Sequence, residues 1–360
     1  NTRTDLQLGY NRFSGTLPCA LWTPVTYALA LSGNLLCGTL PSDIYKAPRQ
    51  RMAVQDNLFS GTVPQMGTNM EWFDLSRNMF RGPLPTLNGS KVKYVYAATA
   101  GVEGQIPTQW GDVSTLKVVE LSRNPLTGTL PTQLGRCSNL LRLLIKNTYV
   151  GGPLPPMENM TNLAELVLRS NRLSGTLPTI MTPALWVVDV TDNRLHGTLP
   201  AELFQTMPLL KTLLVGSNRL CGTIPESLSK SSVLGSLDVA YNRLSGNLPM
   251  TLEDMPWLSD LSLSGNLFAS TLTDFLSGVL WREESCRYVV ETIDGKMLRS
   301  RCAPLSVLVA DDNPLHGTLP DSLIVLSMLA ILSLKSPLIT GTIPEAQGFV
   351  NVWNRQFEIN

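Results

Sequence analysis

The chain has 360 residues with 28 basic and 28 acidic side chains, a formal net charge of zero, and only 16% of its residues are charged. No general basic field exists to draw nucleic acid or an anionic membrane surface, so neither is expected as a direct partner. A chain of this length exceeds what one globular core usually holds, unless each unit touches only its neighbours; internal period is therefore the first property to read.

A Gly-x-(Leu/Ile/Val)-Pro step recurs with its glycine at Gly15, Gly38, Gly61, Gly82, Gly104, Gly128, Gly152, Gly175, Gly197, Gly222, Gly246, Gly317 and Gly341. The intervals run from 21 to 25 residues except for the long gap before Gly317, where a degenerate Ser-Thr-Leu-Thr begins at Ser270. Four residues before most of these glycines stands an asparagine: Asn11, Asn34, Asn57, Asn78, Asn124, Asn171, Asn193, Asn218, Asn242, Asn266 and Asn313. An apolar-x-apolar pair such as Leu166 and Leu168 precedes it. This is the leucine-rich-repeat pattern, and it predicts an α/β solenoid arc of about fourteen coils over 1–360, with a parallel concave sheet and short helical or 3-10 convex segments.

Each apolar-x-apolar pair predicts a short strand with alternate side chains pointing inward. Leu166, Leu168, Val188 and Val190 are expected in the core. The asparagine amides are expected to stack as a ladder that satisfies buried backbone groups, interrupted at Ala100, Thr148 and Pro337. The glycine permits the bend, and the proline sets an extended turn before convex segments such as 131–140, whose leucines suit a short helix or 3-10 turn.

The run Asn171 to Pro178, Asn-Arg-Leu-Ser-Gly-Thr-Leu-Pro, resembles the plant-type class of extracellular leucine-rich repeats. The preference for Gly-Thr-Leu-Pro is similar to kinetoplastid surface leucine-rich-repeat proteins, of which the promastigote surface antigen family is the type. The resemblance implies a secreted or cell-surface recognition protein. The sequence shows no cysteine-bounded caps, threonine- or proline-rich stalk or lipid-anchor tail, so membrane contact is expected only through an anchor not present in this sequence.

The register assigns the outward strand positions, and those just before each asparagine, to the candidate binding face. In chain order the early coils contribute Trp72, Asp74, Arg77, Tyr94 and Tyr96; the middle coils contribute Glu120, Arg123, Arg142, Lys146, Glu165 and Arg169. The later coils contribute Asp189, Asp192, Asp238, Tyr241, Asp260, Asp311 and Asp312. Aromatic and arginine side chains are enriched at protein-binding hot spots, and here they gather in the early and middle coils. The sign of charge changes along the face, which predicts a ligand with a fixed direction: acidic groups against the basic middle coils, basic groups against the later aspartates.

Between Ser270 and Gly317 lie 47 residues where one repeat needs about half as many. Asp294-Gly295 between two strand-like runs predicts a hairpin pairing Ile293 with Lys296, inserted at about 280–303 and closed at its base by a Cys286–Cys302 disulfide. A degenerate full repeat fits less well, because Glu291 and Leu298 stand where asparagine and proline belong.

Signs of catalysis are lacking. His196 and His316 share one slot just before a repeat glycine, which marks structure. Cys37 and Cys221 share that slot too and are expected as small, mostly buried thiols; Cys137 is expected free and buried, and a Cys19–Cys37 bridge is disfavoured. No closely spaced ligand set suits a metal, and no Gly-Lys-Ser/Thr loop suits a phosphate cofactor. Two sequons, at Asn88 and Asn159, allow N-glycans in an exported protein. The expected function is non-catalytic binding of a protein or peptide, with a glycan as a further option, on the concave face. The alternative is a spacer or coat component held through its edges and hairpin.

Overall fold

The computed structural model describes residues 4–18, 26–42, 49–277, 292–293, 296–297, 305–320 and 330–342. It forms two compact units, Asn1–Ser174 and Gly175–Asn360. Each is a stack of leucine-rich-repeat coils built on a parallel sheet with one strand per coil. In the first unit the strands run Thr4–Gln7, Thr26–Ala30, Arg51–Ala53, Trp72–Asp74, Tyr94–Tyr96, Val118–Glu120, Arg142–Leu144 and Glu165–Val167. In the second they are Val187–Asp189, Thr212–Leu214, Ser236–Asp238, Asp260–Ser262, Val307–Val309 and Ile331–Ser333.

Alternation within each strand follows the period of two. Leu166, Leu168, Val188 and Val190 are all buried, as their spacing requires. The asparagine ladder closes the corner after each strand. Asn57 donates through Nδ2 to the carbonyls of Val54 in its own coil and Leu31 in the previous one, and its Oδ1 accepts from Leu36 N–H. Asn124, Asn242, Asn266 and Asn313 repeat the pattern. Where Ala100 breaks the ladder, Asn124 Oδ1 accepts from both Ala100 N–H and Gly101 N–H, so no backbone donor is orphaned there. At Thr148 the hydroxyl itself donates to Asn171 Oδ1.

A second set of parallel strands follows the asparagines, which the repeat pattern alone did not indicate. In the first unit Ser14–Thr16, Leu35–Thr39, Leu58–Gly61 and Met79–Phe80 form one such sheet. In the second unit His196–Gly197, Arg219–Gly222 and Arg243–Leu244 form another. The repeat glycines that end these strands lie in the left-handed region, for example Gly197 and Gly222 at φ 83°. The threonine after one glycine lays its methyl over the glycine of the next coil: Thr198 Cγ2 would meet a Cβ at Gly222 at 3.0 Å. The Gly-Thr pairing is therefore a packing contact between coils.

These lateral strands correct the reading of the pre-glycine slot. Cys221 is exposed and Cys37 half-exposed, because that slot lies two residues beyond the exposed first strand residue and faces the same way. His196 and His316 are exposed for the same reason. Cys37 is free and Cys19 lies outside the described residues, whereas Cys137 is free and fully buried, its Sγ 3.5 Å from the Trp110 carbonyl.

On the convex side, 3-10 turns at Thr108–Asp112, Thr132–Arg136, Glu226–Lys230 and Met250–Asp254, and the short helix Ala201–Thr206, each begin after a repeat proline. Coils approach so closely there that a Cβ on Gly111 would overlap the Gln133 backbone.

Across the long gap, strand Asp260–Ser262 pairs directly with Val307–Val309, and Asn313 reaches back to Leu263 O and Phe268 N–H. The extra residues therefore add no strand to the main sheet between these two. Within them, Thr292–Ile293 pairs antiparallel with Lys296–Met297, Ile293 opposite Lys296. Cys286 and Cys302 lie outside the described residues.

Candidate functional face

Strand register in the first unit sorts the outward side chains into two rows. One row runs Trp72, Tyr94, Val118, Arg142, Glu165. The other runs Asp74, Tyr96, Glu120, Leu144, Val167. Neighbours in a row stand one rung, about 4.8 Å, apart. Trp72, Tyr94 and Tyr96 are half-buried, with the Trp72 and Tyr96 rings 6.1 Å apart and tilted by 53°. Val118 and Leu144, almost fully covered, continue this floor toward the middle coils. The result is an aromatic and aliphatic strip along the outward face of this sheet.

Charge flanks the strip at its far end. Arg142 Nε meets Glu165 Oε2 at 2.7 Å, so that pair is largely self-neutralising. Lys146 and Arg169, each just past an inward residue, make no ion pair among the described residues. They are the positive groups left open at this end. At the other end, burial raises the Asp74 carboxyl above its usual value, against the pull of the Ser76 N–H that it accepts at 2.9 Å. Burial likewise raises the Tyr96 hydroxyl, with nearby Arg142 opposing it.

The residues just before the asparagines behave differently. Arg77, Arg123, Asp192 and Tyr241 have φ of 51°, 58°, 56° and 54°, in the left-handed region that turns the chain out of the strand. Arg77 is held by Asp56 of the preceding coil, and the Tyr241 ring lies over Gly265 of the next. Arg123, with Asn124, Pro125, Asn147, Thr148, Tyr149 and Ser170, lines a 450 Å³ cleft. Sequence reasoning had not marked Tyr149, whose ring carries the Arg172 guanidinium at 4.6 Å; the missing asparagine at Thr148 was the available signal.

In the second unit the outward carboxylates are already engaged. Asp189 accepts from Thr191 N–H and Asp238 from Ala240 N–H, and Glu120 does the same to Ser122 N–H in the first unit. Asp260 accepts from the Ser259 hydroxyl, and Asp311 from the Ser333 hydroxyl and Lys335 N–H. Asp189, Asp238 and Glu120 thus close turns at strand ends, Asp260 holds the hydroxyl beside it, and Asp311 ties its coil to the next. Asp312 is exposed, again at positive φ. Both sequon asparagines, Asn88 and Asn159, are exposed. Among the described residues no group of three or more His, Cys, Asp or Glu side chains converges on a metal site. No helix there is long and apolar enough to cross a membrane.

Comparison with known proteins agrees with this architecture. A family model described as Leucine Rich Repeat matches residues 115–137, one full strand and its convex turn. No curated protein sequence matches the chain. Among solved structures, the plant peptide hormone receptor RGFR1 in complex with RGF2 superposes with a TM-score of 0.77 at 24% identity, over 94% of this chain and 60% of that one. The ectodomain of the receptor kinase GASSHO1/SCHENGEN3 from Arabidopsis thaliana, in complex with CASPARIAN STRIP INTEGRITY FACTOR 2, gives 0.74 at 26%, over 96% and 42%. A TDR receptor gives 0.76 at 25%, over 94% and 61%. This chain thus spans less than two thirds of each of those chains. Its building unit is the leucine-rich repeat, stacked as in plant receptor ectodomains.

Proposed function

We propose that this chain is a non-catalytic recognition protein that acts outside the cell and binds an extended peptide, or a peptide segment of a protein, across the outward sheet face of its first unit. One observation carries the reading: Trp72, Tyr94 and Tyr96 stand in register beside Val118 and Leu144, with Lys146 and Arg169 open at one end. Aromatic anchors next to unpaired cations are the chemistry that holds a peptide carrying apolar side chains and a carboxylate. Two of the similar structures are complexes with RGF2 and CASPARIAN STRIP INTEGRITY FACTOR 2, which supports a ligand of this class. The extracellular setting draws support from the ectodomain among those structures and from the exposed sequons; the comparisons do not support the kinetoplastid surface-antigen resemblance.

A random peptide library displayed on phage, selected on the native protein, tests the proposal. Selected peptides are expected to combine an acidic group with aromatic or aliphatic residues, and to lose binding to a Trp72→Ala/Tyr96→Ala variant. Selection of peptides that bind this variant equally well would remove the face from consideration.

A further inference from the structure

Two accessible thiols share one slot of the lateral strands, and their neighbours differ. Cys221 lies on Arg219–Gly222, directly opposite Arg243 of the next coil and one rung, about 4.8 Å, away at the backbone. Arg219, two residues before it, faces the same side. All three residues are exposed, and neither arginine makes an ion pair among the described residues. Leu220 and Leu244, which follow the arginines, are fully buried, and their N–H groups donate to Asn242 and Asn266. The ladder thus holds both strands in place, and the thiol keeps a guanidinium on each of two sides.

Cys37 supplies the internal comparison. It stands between Thr16 and Leu58, with Leu35 two residues before it, so leucines occupy the positions that arginines hold around Cys221. The fold therefore does not demand cations beside this slot. Two open guanidiniums near a thiol repel a cationic reagent and draw an anionic one. They also oppose a disulfide between two copies through Cys221, which would bring Arg219 and Arg243 of both copies together. A small disulfide that carries negative charge is the partner this group fits.

We infer that Cys221 is a site of covalent S-thiolation by a small anionic disulfide, with oxidised glutathione as the representative of the class. The Cys221 thiolate attacks one sulfur of that disulfide; the new S–S bond forms as the old one breaks, and the departing half leaves as a thiolate that takes up the proton given up by Cys221. Electrons balance within the exchange: Cys221 is oxidised to the mixed disulfide and the departing half is reduced to a thiol, with no further oxidant. The carboxylates of the attached half pair with Arg219 and Arg243, which favours its retention. The site uses residues of the second unit alone and does not depend on the peptide reading.

The test exposes the native protein to oxidised glutathione or to cationic cystamine and follows mixed-disulfide formation at Cys221 and Cys37 by peptide mass spectrometry. Because the two reagents differ in intrinsic reactivity, the readout is the ratio of their rates at each cysteine. At low salt the glutathione-to-cystamine ratio at Cys221 should exceed by at least ~5-fold both the ratio at Cys37 and the ratio at Cys221 in an Arg219→Gln/Arg243→Gln variant. The preference should fade as salt approaches about 1 M. The variant separates charge from access to the thiol; circular dichroism and thermal unfolding confirm that it folds, and if it does not, the two single variants replace it. No reaction at Cys221, a preference undiminished in the variants, or a Cys221-linked dimer forming ahead of the mixed disulfide overturns the inference. The Trp72→Ala/Tyr96→Ala variant should be thiolated at the wild-type rate, so failure of the peptide-binding proposal and failure of this one are distinguishable.

Discussion

Cys137 and Cys221 show how one residue type divides by position. Cys137 lies in the core beneath a convex turn, and burial pushes its thiol up to about 11, whereas Cys221 is exposed on a lateral strand. Because the thiolate is the reactive form, Cys221 should be alkylated by iodoacetamide in the native protein while Cys137 stays unmodified until denaturant is added, as read by peptide mass spectrometry. Asp74 gives a second test. Its folded-state proton affinity exceeds the unfolded one, so its contribution to stability is present in acid and is lost as pH rises through the raised folded value. Asp74→Asn keeps an acceptor for Ser76 N–H without the buried charge. The variant should equal or exceed the wild type in urea melts at neutral pH, and that advantage should vanish below about pH 4. The arginines, tyrosine and aspartates before the ladder asparagines were legible only as outward residues; their left-handed backbone, set by the corner and not by their own preference, directs them away from the strand face.

At the scale of the element, the asparagine ladder is the cooperative part of each coil. Asn124 is buried and joins backbone groups of its own coil to Ala97, Ala100 and Gly101 of the one before. Asn124→Ala would leave several buried donors and acceptors unpaired and should cost about 2–4 kcal/mol in equilibrium denaturation. Asn11, exposed and bonded within its own coil, should cost under about 1 kcal/mol on the same substitution. The strands, the ladder and the 3-10 turn at 132–136 were all legible, because each rests on a local periodicity or a turn residue. The lateral sheets were not. Their strands span as few as two residues, and the alternation of Arg219, Leu220 and Cys221 shows its outward side only once the corner geometry is known.

For the molecule as a whole, the sequence carried the repeat, the core positions and the outward rows, since these follow from a period of about two dozen residues that every coil repeats. It could not say which outward charges were free, because that depends on ion pairs across a rung, Arg142 with Glu165 and Arg77 with Asp56, and on turns within a coil, Asp238 with Ala240 N–H. Those contacts shift the candidate peptide site from the full length of the sheet to the first unit, where aromatic residues and unpaired cations such as Lys146 and Arg169 remain. The most direct test is the affinity of one library-selected peptide for four proteins: the wild type, Trp72→Ala, Tyr96→Ala and, as control, Trp257→Ala, an aromatic residue exposed just after a convex turn. Each of the two face variants should weaken binding by roughly 1–4 kcal/mol, mostly through a faster off-rate, while Trp257→Ala leaves it unchanged. Equal affinities for all four proteins, or a loss confined to Trp257→Ala, would contradict binding on this face.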